Sequence, residues 1–216
     1  MVSHSLDVLA RLNPGVPPEL IGRAERWAAD GTVIQPRVSA SVILLRDGAA
    51  GLETYLLHRH ARMAFAASMV VFPGGGVDDV DRSDGADPVL ACALRETAEE
   101  TGVALVDTDL LPWAHWITPE FEPRRFDTRF FLTALPVGQL ARDVSGEADA
   151  ADWMRVTDAV RAFDDGRLAM LPPTIEALRE LSVCPDVASA LAAPRTVRPI
   201  LPRLVADGDD LRLVVE

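Results

Sequence analysis

Arg95-Glu96-Thr97-Ala98-Glu99-Glu100-Thr101-Gly102-Val103, approached through Phe72-Pro73-Gly74-Gly75, decides how this chain is read. On a helix the 3.6-residue repeat gathers Glu96, Glu99 and Glu100 on one face. Like charges at those spacings repel by roughly 0.2–0.5 kcal/mol per pair. Stability alone does not select such a face, whereas a divalent cation does. Hard cations such as Mg²⁺ take oxygen ligands, commonly one or two carboxylates together with substrate phosphates. A solvated acidic face is the alternative for Glu-x-x-Glu-Glu in isolation.

The surroundings favour the cation. Leu90, Ala91, Cys92, Ala93 and Leu94 are apolar around nearly the whole helix, so this half belongs in a core. The carboxylates begin one turn later, at the edge of that core, where an unpaired charge is costly. Arg95 reaches Glu99 at i+4 and orients it, the supporting contact a metal ligand needs. Gly102 ends the helix in a left-handed cap. Asp87 followed by Pro88 is a signal for the N-cap and first turn, so Asp87 reads as a cap rather than a ligand.

This segment resembles the Nudix box, G-x5-E-x7-R-E-U-x-E-E-x-G-U with U a bulky apolar residue. Arg95, Glu96, Glu99, Glu100, Gly102 and Val103 match, with Gly75 as the leading glycine. Gly75 and Arg95 stand 20 positions apart, six more than the pattern has, and the extra residues read as a lengthened loop over Val77–Gly85. Counted back from Arg95, the first glutamate of the pattern falls on Asp87, and Thr97 takes the apolar position. The resemblance implies an α/β/α sandwich around a mixed β-sheet. It further implies a Mg²⁺- or Mn²⁺-dependent hydrolase that cleaves the pyrophosphate of a nucleoside diphosphate joined to another moiety. Metal ligands would be Glu96, Glu99, Glu100 and the Gly74 carbonyl.

The Phe-Pro-Gly-Gly-Gly-Val-Asp-Asp loop and the stretch from Trp116 to Phe131 look like the Nudix subgroup that contains peroxisomal coenzyme A diphosphatases and actinobacterial relatives. The likeness covers roughly residues 37–180, and makes CoA or acyl-CoA the leading substrate. The subgroup's pattern has a His and a Gly shortly before Phe-Pro-Gly-Gly, where this chain has Ala66 and Ser68. ADP-ribose and NAD(H) are the alternative substrates, and a nucleotide-sensing module without catalysis is the rival class. Such modules usually lose box carboxylates.

Composition narrows the field. With 216 residues, 49% hydrophobic and 25% charged, the chain suits one globular domain with added elements. All 21 basic residues are arginine, which removes lysine nucleophiles and Schiff bases. A net charge of −12 argues against nucleic-acid partners, which demand basic surface. No apolar run approaches the ~20 residues that cross a bilayer, and residues 1–30 carry no signal-peptide pattern. Cys92 and Cys184 make no disulfide framework, so a cytoplasmic location is expected.

Along the chain, helical patterns at Leu6–Leu12 and Pro18–Ala29 form an N-terminal extension, residues 1–36. The Nudix domain itself spans 37–183. It opens with strands at Arg37–Arg46, Glu53–His60 and Met69–Phe72 and the box helix Pro88–Thr101. Strands at Trp113–Thr118, Arg129–Leu135 and Asp152–Val156 follow, with helices at Thr157–Asp164 and Pro173–Leu181. Residues 184–216 hold a helix at Val187–Ala192 and a β-hairpin around Asp207-Gly208. The N-terminal helices and the hairpin are candidate homodimer surfaces.

Candidates for proton transfer are Glu96, Glu147 and Glu120, with Glu122 competing. Glu147 lies six residues before Trp153, where Nudix enzymes often carry an additional acid. Arg124 and Arg125 form the densest basic cluster and, with Arg59 and Phe126, make the candidate substrate-binding set; guanidinium forks match phosphate oxygens. Internal pairing with Glu120, Glu122 or Asp127 is the alternative for these arginines. Trp116, Phe121 and Phe126 could stack a base, although core packing accounts for at least two of them. His58 and His60 share a strand face without a third zinc ligand. Ser68 lacks a nucleophile-elbow setting.

Overall fold

β1 (Arg37–Gly48) organises the molecule: Val42, Ile43, Leu44 and Leu45 are all fully buried, so both faces of the strand are covered. A strand enclosed on two sides reads as a continuous apolar run, which is why its sequence alternates only weakly. A computed structural model describes residues 22–24, 26–27, 31–60, 68–82, 85–146, 148–207 and 210–215. After β1 come β2 (Gly51–Arg59), β3 (Val70–Val71), β4 (Gly74–Gly76) and a 3-10 turn at Asp79–Asp81. Helix α1 (Pro88–Thr101) is followed by β5 (Leu111–Ile117), β6 (Phe126–Ala134) and β7 (Ala148–Arg155). Helices α2 (Val156–Asp164), α3 (Pro172–Leu181) and α4 (Val187–Ala192) precede β8 (Pro199–Ile200), β9 (Pro202–Asp207) and β10 (Asp210–Val215).

Two compact units divide the chain. In the larger one (Val38–Ala114 and Arg129–Val197) the strand order is β3-β2-β1-β6-β5, with β4 added to β1 and β7 to β2. β1 changes partner along its length: Leu45–Gly48 pair with β2, whereas Ser39–Ser41 pair with β4. That switch seats the glycine run against the strand. Gly74–Gly76 is therefore a paired strand and not the flexible turn that glycine composition suggests. On one face of β1, Ala40, Val42 and Leu44 join Val89, Cys92 and Ala93 of α1 in a core with Tyr55, Leu57 and Phe131. Ile43 and Leu45 point to the opposite side, and α2 packs on β2, β7 and α3. The sheet is thus flanked by helices.

α1 has the bounds its sequence dictates. Asp87 accepts from the Val89 amide at 2.9 Å, Pro88 opens the first turn, and Gly102 (φ 71°) closes it in the left-handed region. Thr97, which takes the apolar position of the box, and Thr101 are both buried; their hydroxyls donate back to Ala93 O (2.7 Å) and Thr97 O (2.6 Å). Beyond the helix, the amides of Arg142 and Val144 donate to the carbonyls of Thr101 and Glu100. The segment leading to β7 is thereby tied to the end of the carboxylate helix.

In the smaller unit (Met1–Arg37, His115–Thr128 and Arg198–Glu216), β8 pairs in parallel with β5, His115 opposite Pro199. That pairing makes the strand arrangement mixed. β9 and β10 form the C-terminal hairpin, with Asp210 opposite Asp207. Residues 22–24 and 26–27 are helical, within the expected Pro18–Ala29 helix; the expected Leu6–Leu12 helix lies outside the described residues. Among the described residues no helix is long and apolar enough to cross a membrane.

Candidate metal and hydrolase site

Two glycines make the floor of the site, each for a different steric reason. At Gly74 (φ 153°) a Cβ would collide with Ala40 O and lie 2.7 Å from Ser41 Cα, so the backbone can run this close to β1 only without a side chain. At Gly75 a Cβ would occupy the space of the Glu96 carboxylate, with Oε2 only 2.8 Å away. Pro73 O, just before them, accepts from Val42 N (2.8 Å) and Ser41 Oγ (3.0 Å). The run is pinned on both sides, and a glutamate lies directly on it.

Arg95 is the hub. Its Nε and Nη2 donate to Asp81 Oδ1 (2.8 Å) and Oδ2 (2.9 Å), while Nη1 donates to Glu96 Oε1 (3.0 Å) and Glu99 Oε2 (2.9 Å). Nη2 also approaches Gly76 O at 3.3 Å. Asp81 is only 2% exposed and takes a further bond from the Asp78 amide at 2.8 Å. The Arg95 hydrogen bonds hold the Asp81 carboxyl below the usual carboxylate range, against the opposing effect of burial. The same pairing pushes Arg95 upward, so the guanidinium is charged at any working pH.

Asp81 is the site residue that the sequence reading missed, and the box could have found it. Counting back from Arg95 led to Asp87, which is the helix cap. Counting forward from Gly75 by G-x5-E leads to Asp81. The six additional residues therefore fall between the acid and the arginine. The lengthened loop carries a buried acid on its 3-10 turn at Asp79–Asp81 and delivers it to Arg95.

The three box glutamates differ in setting. Glu96 is desolvated over Gly75, and burial raises its pKa, partly opposed by Arg95. Glu100 is buried and accepts from the Gly74 amide at 2.8 Å. Glu99 is 57% exposed and is turned toward Arg95. Among the described residues, no three His, Cys, Asp or Glu side chains already converge on one point. The contacts explain this, since Arg95 draws Glu99 aside and the Gly74 amide holds Glu100. The donor set still suits a hard divalent cation. It is all oxygen, it sits at a core edge, and Gly75 leaves room for Glu96 and backbone to share. The one nearby thiol, Cys92, sits under Gly75 O at 3.5 Å and is pushed up to about 12 by burial, so it stays protonated. Both cysteines are free.

The remaining sequence candidates lie elsewhere or serve other contacts. Arg59 ends β2; it is half-buried, its amide bonds Met69 O at 3.0 Å, and its Nε has no acceptor among the described residues. Glu147 lies outside the described residues. In the smaller unit, Glu120 is half-buried and Glu122 is paired with Arg23 at 2.7 Å. Arg124 is exposed, whereas Arg125 is buried with Nε on Thr118 O (3.1 Å) and Nη1 on Ile34 O (2.6 Å). Arg125 thus uses its fork to hold backbone. Trp116 and Phe121 are buried in packing and Phe126 is half-buried. On the His face, His60 pairs with Asp149.

The NUDIX domain model matches residues 35–173. A Caenorhabditis elegans protein named "Putative nudix hydrolase 7" is 26% identical over 185 residues, which cover 69% of this chain and 62% of that protein. The chain therefore spans less than two-thirds of the length of that curated relative. A NUDIX hydrolase crystal structure from Alicyclobacillus acidocaldarius is similar at TM-score 0.67 and 28% identity, covering 75% of this chain and 98% of the other. The NUDIX domain of Shewanella oneidensis NrtR, solved with ADP ribose, shares the fold at TM-score 0.53 and 15% identity, over 72% of this chain and 96% of that one.

Proposed function

The chain belongs to the NUDIX domain family, and from that premise we propose that it is a divalent-metal-dependent hydrolase of pyrophosphate bonds. The observation that carries this is the Glu96 carboxylate seated on Gly75 and tied through Arg95 to buried Asp81. Glu96, Glu99, Glu100 and the Gly74 carbonyl would hold Mg²⁺ or Mn²⁺. When bound, such a cation supplies charge neutralisation on the diphosphate and makes water more acidic. Arg95 bridges Glu96 and Glu99 through one nitrogen and so fixes their spacing. Asp81 occupies the other side of the fork and keeps the arginine from swinging out. Glu96, Glu120 and Glu147 are the candidate proton acceptors. Burial raises the Glu96 carboxyl above its ordinary value, and Arg95 partly opposes that rise.

CoA or acyl-CoA leads as substrate, with ADP-ribose and NAD(H) as alternatives. Ser68, where the CoA-diphosphatase subgroup's pattern has glycine, adopts φ 58°; with Ala66 it is this chain's departure from the CoA pattern. Half-buried Arg59, on the strand paired to β3, exposed Arg124 and half-buried Phe126 are the candidate substrate-binding residues. A panel of CoA, ADP-ribose, NADH and dinucleoside polyphosphates with Mg²⁺ or Mn²⁺, products resolved by mass, tests the reading. Cleavage at a pyrophosphate bond, greatest for CoA, is expected. Saturable binding without product would instead make the protein a nucleotide sensor.

A further inference from the structure

A second feature of the larger unit has no place in the hydrolytic site. Between the β1–β2 turn and helix α2 lies a groove of about 760 Å³, whose lining includes Trp153, Glu53, Arg155, Asp158, Arg161 and Arg167. It lies toward the opposite end of β1 from the glycine run. Ser41 and Arg46 are five residues apart, about 17 Å along a strand. The groove is of the size that holds a small ligand.

The charges around it are arranged asymmetrically. Glu53 is neutralised by Arg46 at 2.7 Å, and Arg46 lies 4.3 Å above the Trp153 ring in a cation–π stack. Asp158 is clamped by Arg155, Nε to Oδ2 at 2.9 Å and Nη2 to Oδ1 at 2.7 Å. Glu53 is therefore satisfied by Arg46, and Asp158 chiefly by Arg155. Arg161 and Arg167 hold weaker, exposed pairs. Arg161 is 71% exposed and reaches Asp158 only at 3.6 Å. Arg167 makes one bond, at 3.0 Å, to Asp165, and both of those side chains are mostly exposed. Such exposed pairs contribute little and give way readily to a better acceptor. The chain carries −12 overall, yet beyond about 8 Å that field is screened at physiological salt, so the local arginines decide what enters.

We propose that this groove is a second, non-catalytic site for a phosphate-bearing anion, held by the forks of Arg161 and Arg167 against the Trp153 wall. Guanidinium groups grip phosphate through paired, charge-assisted hydrogen bonds. The phosphate could be inorganic or the 5′-phosphate of a mononucleotide. The inference stands on these residues alone and does not depend on the hydrolytic reading.

The test is titration of the protein, in EDTA and at constant ionic strength, with inorganic phosphate and with AMP. The reporter is the indole NMR resonance of Trp153, assigned with Trp153→Phe. Saturable shifts are expected. The double variant Arg161→Ala/Arg167→Ala should weaken them by about tenfold or more, the loss that follows removal of hydrogen bonds to a charged group. Its melting curve and metal-dependent turnover should match the wild type. Tighter binding of AMP than of phosphate would identify a nucleotide as the source, and equal binding the phosphate group alone. A response no larger than that to sodium chloride, or unchanged affinity in the double variant, overturns the proposal.

Discussion

Arg95 and Arg167 carry the same guanidinium in opposite surroundings, and the contrast shows how burial determines what an ion pair is worth. Arg95 faces a carboxylate that is 2% exposed and spends its whole fork on Asp81, Glu96, Glu99 and Gly76 O. Arg167 shares a single 3.0 Å contact with an aspartate of similar exposure to its own. Burial makes the first pair costly to break, because either partner left alone is an uncompensated charge. Exposure makes the second nearly free to break, since water replaces it. The first arrangement holds geometry, whereas the second leaves its cation ready to bind something else.

The largest way to break this contrast is Arg95→Ala. It leaves Asp81 buried and unpaired, and should cost about 3–5 kcal/mol in urea unfolding. A loss under about 1 kcal/mol would place Arg95 with the surface arginines. Next is Gly75→Ala, which puts a methyl group where the Glu96 carboxylate lies. Displacing a reacting group by about 1 Å costs on the order of 10²-fold in rate, while overpacking costs only about 1–3 kcal/mol in stability. Turnover measured beside unfolding separates the two effects.

Acid sharpens the comparison further. The folded-state pKa of Asp81 is depressed, so its contribution is complete above the unfolded value of about 3.9 and is lost as pH falls through the lower folded value. Wild-type stability should therefore drop below about pH 4. Asp81→Asn should lower the neutral plateau and flatten that acid limb. Smallest of all, Arg167→Ala should change stability by no more than about 0.5 kcal/mol by the same urea assay.

Much of this was legible in the sequence where the signal is local. α1 runs from Pro88 to Thr101 as read, because Asp87-Pro88 starts it and Gly102 stops it within the chain itself. α4 likewise occupies Val187–Ala192, with Asp186 as its cap accepting from Ser189 N. Features that depend on a distant partner were not legible. β4 is a strand only because Ser39–Ser41 lie beside it, and nothing in three glycines announces that partner. The burial of Arg125 depends on Ile34 O, far away in sequence. Asp81 was hidden for a different reason: an insertion placed between two matched positions shifts every count made from the wrong end.

The most direct measurement is metal-dependent turnover of the double variant Glu99→Gln/Glu100→Gln on the preferred diphosphate. These substitutions keep the shape of each side chain and remove the charge that a cation needs. A loss of at least about 10²-fold in kcat, with a cooperative wild-type-like fold, is the predicted result. Turnover retained in full, with unchanged dependence on Mg²⁺ or Mn²⁺, would contradict the assignment of the α1 carboxylates to the metal site.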